Sequence, residues 1–104
     1  MADKILSMIG LAVKAGKLCT GEFAVESAVK KGRAFLVIVA GDASQASKKS
    51  YRDMGNFYSV PVVEYGTKES LGHSCGKEYR ASAAVTDAGF AAQIKKLIEN
   101  KIDH

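Results

Sequence analysis

The feature that most constrains the fold is a run of seven consecutive apolar residues, AFLVIVA, at positions 34–40. Branched side chains dominate the run, and Gly41 and Asp42 end it. An apolar run of this length between turn signals is typical of a strand that is buried on both faces. Such a strand requires helices on both sides of its sheet. We therefore predict that Phe35–Ala40 is a central strand of an α/β protein.

The other elements follow from the spacing of apolar residues, turn residues and helix caps. Helices are predicted at Asp3–Lys14, Gly21–Lys31 and Ser44–Tyr58. A short fourth helix around Leu71 is predicted to follow a Thr67 cap, and a terminal helix is predicted from Asp87 to the C-terminus. Strands are predicted at Leu18–Cys19, Phe35–Ala40, Val60–Glu64 and Ala81–Val85. The alternation predicts one domain, residues 1–104, folded as a three-layer α/β/α sandwich around a four-stranded sheet. The first strand is too short and too close to its helix to fix its direction, so we expect a mixed sheet.

Helical spacing also predicts which side chains enter the core. On the third helix these are Tyr51, Met54 and Tyr58. On the terminal helix the inner face is predicted to consist of Phe90, Ile94, Leu97, Ile98 and Ile102.

The second helix carries polar groups at both of its ends. Thr20 is predicted as its N-cap and Gly21 as its first residue. Glu22 places negative charge in the first turn, where the helix dipole favours it, and Lys31 lies in the last turn. Exposed amides near Gly21 and a lysine could contact phosphate or base edges. An ordinary capped amphipathic helix remains the alternative.

The charge balance indicates an anionic partner without requiring one. Fifteen basic residues against eleven acidic residues give a formal net charge of +4. A basic run on the third helix, at Lys48, Lys49 and Arg52, is typical of a solvated face. The chain has no apolar stretch of about 18 residues and no signal-peptide pattern, and two cysteines do not make a disulfide framework. These features predict a cytoplasmic protein with reduced thiols and no membrane contact.

The sequence shows no motif typical of a catalytic or metal-binding site. The sequence contains no P-loop and no G-x-G-x-x-G pattern. His73 and Cys75 are close in sequence, but no third and fourth metal ligand follows at suitable spacing. A catalytic cysteine would need a base, and only His73 and His104 are available. We therefore assign no catalytic residue, metal or cofactor, and we expect Cys19 and Cys75 to be small, partly buried apolar residues without a disulfide.

Segments that span nearly the whole chain resemble one known family, in order and in spacing. They are IGLAVKAGKL (9–18), TGEFAVESAVKKG (20–32), AFLVIVAGDAS (34–44), VPVV (60–63), LGHSCGKEYRASAAVTD (71–87) and GFA (89–91). The chain resembles the kink-turn RNA-binding superfamily of ribosomal proteins, of the large-subunit seven-Ae type, and within it the short bacterial members. The family fold is an α/β/α sandwich, as the spacing predicts independently.

The resemblance implies a binding surface made of two segments. In the family, the N-terminal half of the second helix reads tandem G·A pairs, and the loop before the last strand packs on an extruded nucleotide. Gly21 matches the family glycine, Lys31 matches a basic position and Glu78 matches a frequent glutamate. Tyr79 falls where a small apolar residue often packs on RNA. The implied RNA-binding residues are Gly21, Glu22, Lys31, Lys77, Glu78, Tyr79 and Arg80.

Three positions depart from the family pattern. Kink-turn readers usually carry asparagine and glutamate two and three residues after the glycine and lysine six after it. Here those positions are Phe23, Ala24 and Ser27. These side chains cannot make the contacts of an amide, a carboxylate and an ammonium.

The expected function is that of a non-enzymatic RNA-binding protein of ribosomal type. It would recognise structured, kink-turn-like RNA, including ribosomal RNA, as a monomer with protein partners in the translation machinery. The alternative is a protein-interaction module on the same fold with weak or no RNA binding. A third hypothesis is an RNA-modifying enzyme, but the chain is too short to carry a catalytic domain in addition to this one.

Overall fold

The computed structural model describes residues 3–102, with side chains described up to Asn100. The helices are α1 (Lys4–Lys14), α2 (Glu22–Lys30), α3 (Gln45–Tyr58), α4 (Lys68–Ser74) and α5 (Ala88–Ile102). The strands are β1 (Leu18–Thr20), β2 (Leu36–Val39), β3 (Val62–Glu64) and β4 (Ser82–Val85). The order of helices and strands is the one predicted. The side chain of Ile102, expected in the core, lies outside the described residues.

The four strands form one mixed sheet in the order β1-β4-β2-β3. Strand β2 is parallel to β3 and antiparallel to β4, and β4 is antiparallel to β1. The predicted mixed, four-stranded sheet is thus confirmed, and β2 is one of its two inner strands. The sheet places the start of β4 beside the end of β1, since Thr20 pairs with Ala83.

The apolar run forms the centre of the core. Leu36, Val37 and Ile38 are completely buried. Successive side chains of a strand point to opposite faces, so Leu36 and Ile38 pack with α1, α4 and α5, whereas Val37 packs with α2 and α3. The three-layer sandwich is therefore confirmed. Phe35, which was predicted within the strand, precedes it and is 48% exposed.

Side-chain caps explain where four of the helices begin. Asp3 accepts hydrogen bonds from the amides at the start of α1, and Ser44 accepts one from the third residue of α3. Thr67 forms a capping box with Ser70 at α4, and Asp87 accepts from the first turn of α5. Each cap removes an unsatisfied amide from the first turn, which fixes the helix start.

The predicted start of α2 was wrong by one residue. Thr20 is the last residue of β1 rather than an N-cap, and Gly21 is the N-cap rather than the first helical residue. Gly21 has φ 94° and ψ 149°, a conformation that side chains rarely adopt, and its amide donates to the Ser82 carbonyl at 3.3 Å. Pairing with β4 extends the strand to Thr20, so the chain must turn sharply at the glycine.

One predicted core contact of α3 was also wrong. Tyr51 is buried and Met54 is partly buried, as expected. Tyr58 is 38% exposed at the last residue of the helix, and its ring meets that of Phe57 edge-on, with centroids 4.8 Å apart.

Strand β3 begins at Val62, two residues later than predicted, and the carbonyl before it accepts a hydrogen bond from β2.

Candidate nucleic-acid interface

The N-terminus of α2 lies against the loop that precedes β4. We call this loop, Lys77–Arg80, the KEYR loop. The Arg80 Nε donates to the Thr20 Oγ1 at 3.1 Å, and its Nη1 donates to the Tyr79 carbonyl at 2.8 Å. Because Gly21 follows Thr20 directly, one arginine side chain joins the two segments. The structure thus brings together residues that are distant in the sequence.

The KEYR loop is fixed on α4 by its backbone. The Lys77 amide donates to the Gly72 carbonyl at 2.8 Å, and the Arg80 amide donates to the Lys68 carbonyl at 3.0 Å. A Cβ at Gly72 would lie 2.7 Å from the Glu78 carbonyl oxygen and 2.8 Å from the Tyr79 Cα. The loop therefore sits directly on a glycine, with no space between the two backbones.

This fixed backbone presents exposed side chains of several chemical kinds. Tyr79 is 61% exposed, and Lys77 and Glu78 are exposed as well. Within residues 3–102, neither Lys77 nor Arg80 forms an ion pair with a carboxylate. An aromatic ring and two cations without acidic partners can stack on a base and contact phosphate.

The basic run on α3 is different, because two carboxylates pair with its three cations. Lys48 lies 3.2 Å and Arg52 3.7 Å from the two carboxylate oxygens of Glu64. Lys49 lies 2.8 Å from Asp53, one turn along the same helix. Lys49 and Arg52 agree with the prediction of a solvated helix face, since their side chains are 73% and 51% exposed, whereas the Lys48 side chain is only 12% exposed. The pairs leave less of the charge of this run for a partner.

Lys31 is not part of the cluster at the helix N-terminus. It is the C-cap of α2, ten residues after Gly21, which corresponds to about 15 Å at the rise of an α-helix. Its side chain is exposed. A partner that meets both Lys31 and the KEYR loop must extend along the length of α2.

Glu22 lies on the side of α2 that faces α3. It lines a groove of about 260 Å³ together with Glu26 and Tyr51. Burial raises the pKa of the Tyr51 hydroxyl, its hydrogen bond with Ser82 lowers it, and the two glutamates raise it further. This flank of α2 is therefore acidic, and Glu22 is the acidic residue of the first turn of α2.

Comparison with known proteins decides the family. Residues 3–95 match the ribosomal protein L7Ae/L30e/S12e/Gadd45 family. The chain belongs to this family. The predicted resemblance is thereby confirmed.

Relatives and a solved structure agree with the family. The RNA-binding protein YlxQ of Enterococcus faecium is 38% identical over 97 residues, covering 93% of both chains. The protein of the same name from Bacillus subtilis (strain 168) is 39% identical over 92 residues, covering 88% of this chain and 92% of the relative. A protein of unknown function from Bacillus halodurans C has a TM-score of 0.90 at 40% identity, covering 94% of this chain and 99% of the other.

The exposure of the Phe23 side chain was not predicted from the sequence. The sequence identified Phe23 only as a departure from the pattern of the L7Ae/L30e/S12e/Gadd45 family. Its side chain is 88% exposed and lines a groove of about 360 Å³, different from the groove that Glu22 lines. A signal was present, because Val25, Ala28 and Val29 already define the inner face of the helix and Phe23 is not on it.

The thiols and the possible metal ligands do not form a site within residues 3–102. No group of three or more His, Cys, Asp and Glu residues is close enough there to hold a metal ion. Cys19 and Cys75 are free thiols, and burial raises the pKa of both. For Cys19, backbone hydrogen bonds and the charge of Arg33 lower the pKa in part. For Cys75, the hydrogen bond with the Ser74 side chain and the charges of Arg80 and Lys77 do so. No helix in the described part of the chain is long and apolar enough to cross a membrane.

Proposed function

We propose that this chain binds structured RNA through the α2 N-terminus and the KEYR loop, as a non-enzymatic protein of ribosomal type. The observation that carries the proposal is the hydrogen bond from Arg80 to Thr20, which joins the two segments. Membership of a ribosomal protein family supports it, and so do two relatives that are named RNA-binding proteins.

Each residue of the proposed surface has a physical task. Glu22 would accept hydrogen bonds from amino groups at base edges, beside a backbone that Gly21 leaves uncovered. Tyr79 would stack on an unpaired base, and Glu78 would accept from base or ribose donors. Lys77 and Arg80 would neutralise phosphates.

Lys31 would extend this contact to a phosphate further along the RNA. The distance of about 15 Å from Gly21 requires an RNA element that follows α2 rather than one that meets only its end. Kink-turn-like RNA, including ribosomal RNA, is the proposed target. A cytoplasmic location, a monomeric state and protein partners in the translation machinery belong to the same proposal.

A binding assay across a salt series tests this function. We expect the association constant for a kink-turn RNA to fall steeply as salt rises. Tyr79→Ala should weaken binding by about 1–3 kcal/mol with little change in the salt slope, because stacking releases no counterion. Lys31→Ala and Lys77→Ala should each reduce the slope by about one. Lys49→Ala is the matched control, since that exposed lysine is already paired on α3.

The protein-interaction alternative makes the opposite prediction. Equal RNA affinity of the wild type and a Lys31→Ala, Tyr79→Ala double variant at low salt would contradict the assigned surface. RNA binding that does not depend on salt would contradict the phosphate contacts. Both altered side chains are exposed, so circular dichroism should show that the variants keep the fold.

A further inference from the structure

We propose that the groove between α2 and β1 binds an unpaired RNA nucleotide, with its base stacked on Phe23 and its phosphate held by Arg33. This site rests on the proposed RNA function and specifies the kind of nucleotide that the protein holds. It lies outside the KEYR loop, and the Phe23 side chain that it uses cannot make the contact that kink-turn readers make from the same helix position.

The first observation is the position of Phe23 itself. It lies in the first turn of α2 and is 88% exposed, a larger fraction than that of any other large apolar side chain within residues 3–100. A single exposed apolar residue needs no explanation by itself. Phe23 follows Gly21 by two residues, however, so its ring stands next to the surface already proposed for RNA.

The second observation is the groove beside that ring. It has a volume of about 360 Å³, within the range of about 300–1,000 Å³ typical of small-ligand sites. Cys19, Ala24 and Ala28 give it a lining of small side chains, while Ser27 and Thr86 add hydroxyl groups. Small apolar lining leaves room for a flat ring against Phe23, and the hydroxyls can meet its polar edge.

The charge of the groove selects an anionic occupant. Among the residues that the structure describes, Arg33 is the one charged residue that lines it, and no carboxylate does. The groove on the opposite flank of α2 is lined by Glu22 and Glu26 instead. Lys31 follows Phe23 by eight residues, or two steps of four residues along the helix. The helical rise places Lys31 about 12 Å from Phe23 along the axis. A phosphodiester chain leaving the groove would therefore meet a second cation.

The chemistry of Phe23 selects an unpaired base. A phenyl ring has no hydrogen-bond donor or acceptor, so it cannot distinguish the edges of paired bases. It can stack on any base whose face is free, and such faces are found in single-stranded loops, bulges and ends. The helix position that carries an amide in typical kink-turn readers here offers a stacking platform.

Two exposed aromatic residues give a matched test. The probes are a single-stranded RNA oligonucleotide containing 2-aminopurine and a fully paired duplex of the same length. Phe23→Ala should raise the Kd for the single strand about 5- to 150-fold and abolish 2-aminopurine quenching. Phe57→Ala is the control, because its ring is 79% exposed on α3. Phe23→Tyr should restore binding, and Arg33→Ala should lower the salt slope by about one.

The outcomes separate this site from the proposed function. Unchanged Kd and quenching in Phe23→Ala would overturn the nucleotide site, and so would equal losses on the single strand and the duplex. A further outcome is that Phe23→Ala binds the single-stranded RNA as the wild type does while Tyr79→Ala and Lys77→Ala lose affinity for kink-turn RNA. That result would refute the nucleotide site in the groove and leave the proposed RNA function standing. If the wild type binds none of the three RNAs, both proposals fail.

Discussion

Gly72→Ala is expected to displace the KEYR loop from α4. Gly72 lies inside α4, where alanine is normally preferred to glycine by about 0.8–1 kcal/mol. The substitution would thus stabilise an isolated helix. In the folded protein, a Cβ at this position would lie 2.7–2.8 Å from three backbone atoms of Glu78 and Tyr79. A backbone cannot rotate away as a side chain can, so the loop must move by several tenths of an ångström.

The gain in helix propensity and the steric overlap with the loop change the free energy of unfolding in opposite directions. Overpacking of this kind costs about 1–3 kcal/mol. After the gain in helix propensity, we expect the free energy of unfolding to fall by roughly 0–2 kcal/mol. The larger effect should be on RNA binding, because displacing Tyr79 removes a stacking contact worth about 1–3 kcal/mol.

Urea denaturation and fluorescence anisotropy with a kink-turn RNA would measure both quantities. Gly72→Ala should weaken binding about as much as Tyr79→Ala, and the double variant should be little worse than either, because both act on one contact. Gly89→Ala on α5 is the control, since its nearest neighbour is a carboxylate oxygen at 3.2 Å. Increased stability of Gly72→Ala with unchanged RNA affinity would refute the described seating of the loop.

Three further outcomes are expected. Tyr51→Phe should lower the free energy of unfolding by about 1–3 kcal/mol in urea denaturation, because it leaves the fully buried Ser82 hydroxyl without its 2.7 Å partner. Ile38→Ala should cost about 2–5 kcal/mol in the same assay, since Ile38 is completely buried in an inner strand. Burial raises the pKa of Cys19, Cys75 and Tyr51 in the folded state. The unfolded chain therefore releases these protons first. The stability that these three groups contribute should be fully present below about pH 8 and fall as the pH rises past 9, whereas a rise there would contradict the buried positions.

The fold could be predicted where local patterns and global packing agree. The apolar run of β2 and the caps at Ser44, Thr67 and Asp87 each indicate one structure, and the described chain adopts it. The prediction that Tyr58 enters the core failed because helical spacing assigns a residue to one face of the helix but does not show where the layer that covers this face ends.

The candidate site depended on contacts that the sequence does not display. Thr20 is a good N-cap by residue type, yet pairing with Ala83 holds it in the sheet. The hydrogen bond from Arg80 to Thr20 and the approach of the KEYR loop to Gly72 join segments far apart in the chain. The family resemblance supplied the residues and implied that the two segments form one surface, but the contacts that join them required the structure.

The central claim is that RNA meets the α2 N-terminus and the KEYR loop as one surface. The most direct measurement is an NMR titration of the ¹⁵N-labelled protein with a kink-turn RNA containing tandem G·A pairs. We predict that the largest amide shifts occur together at Gly21, Glu22 and Lys77–Arg80. Shifts centred on Phe57 and Tyr58 instead, or none at low salt, would contradict the claim.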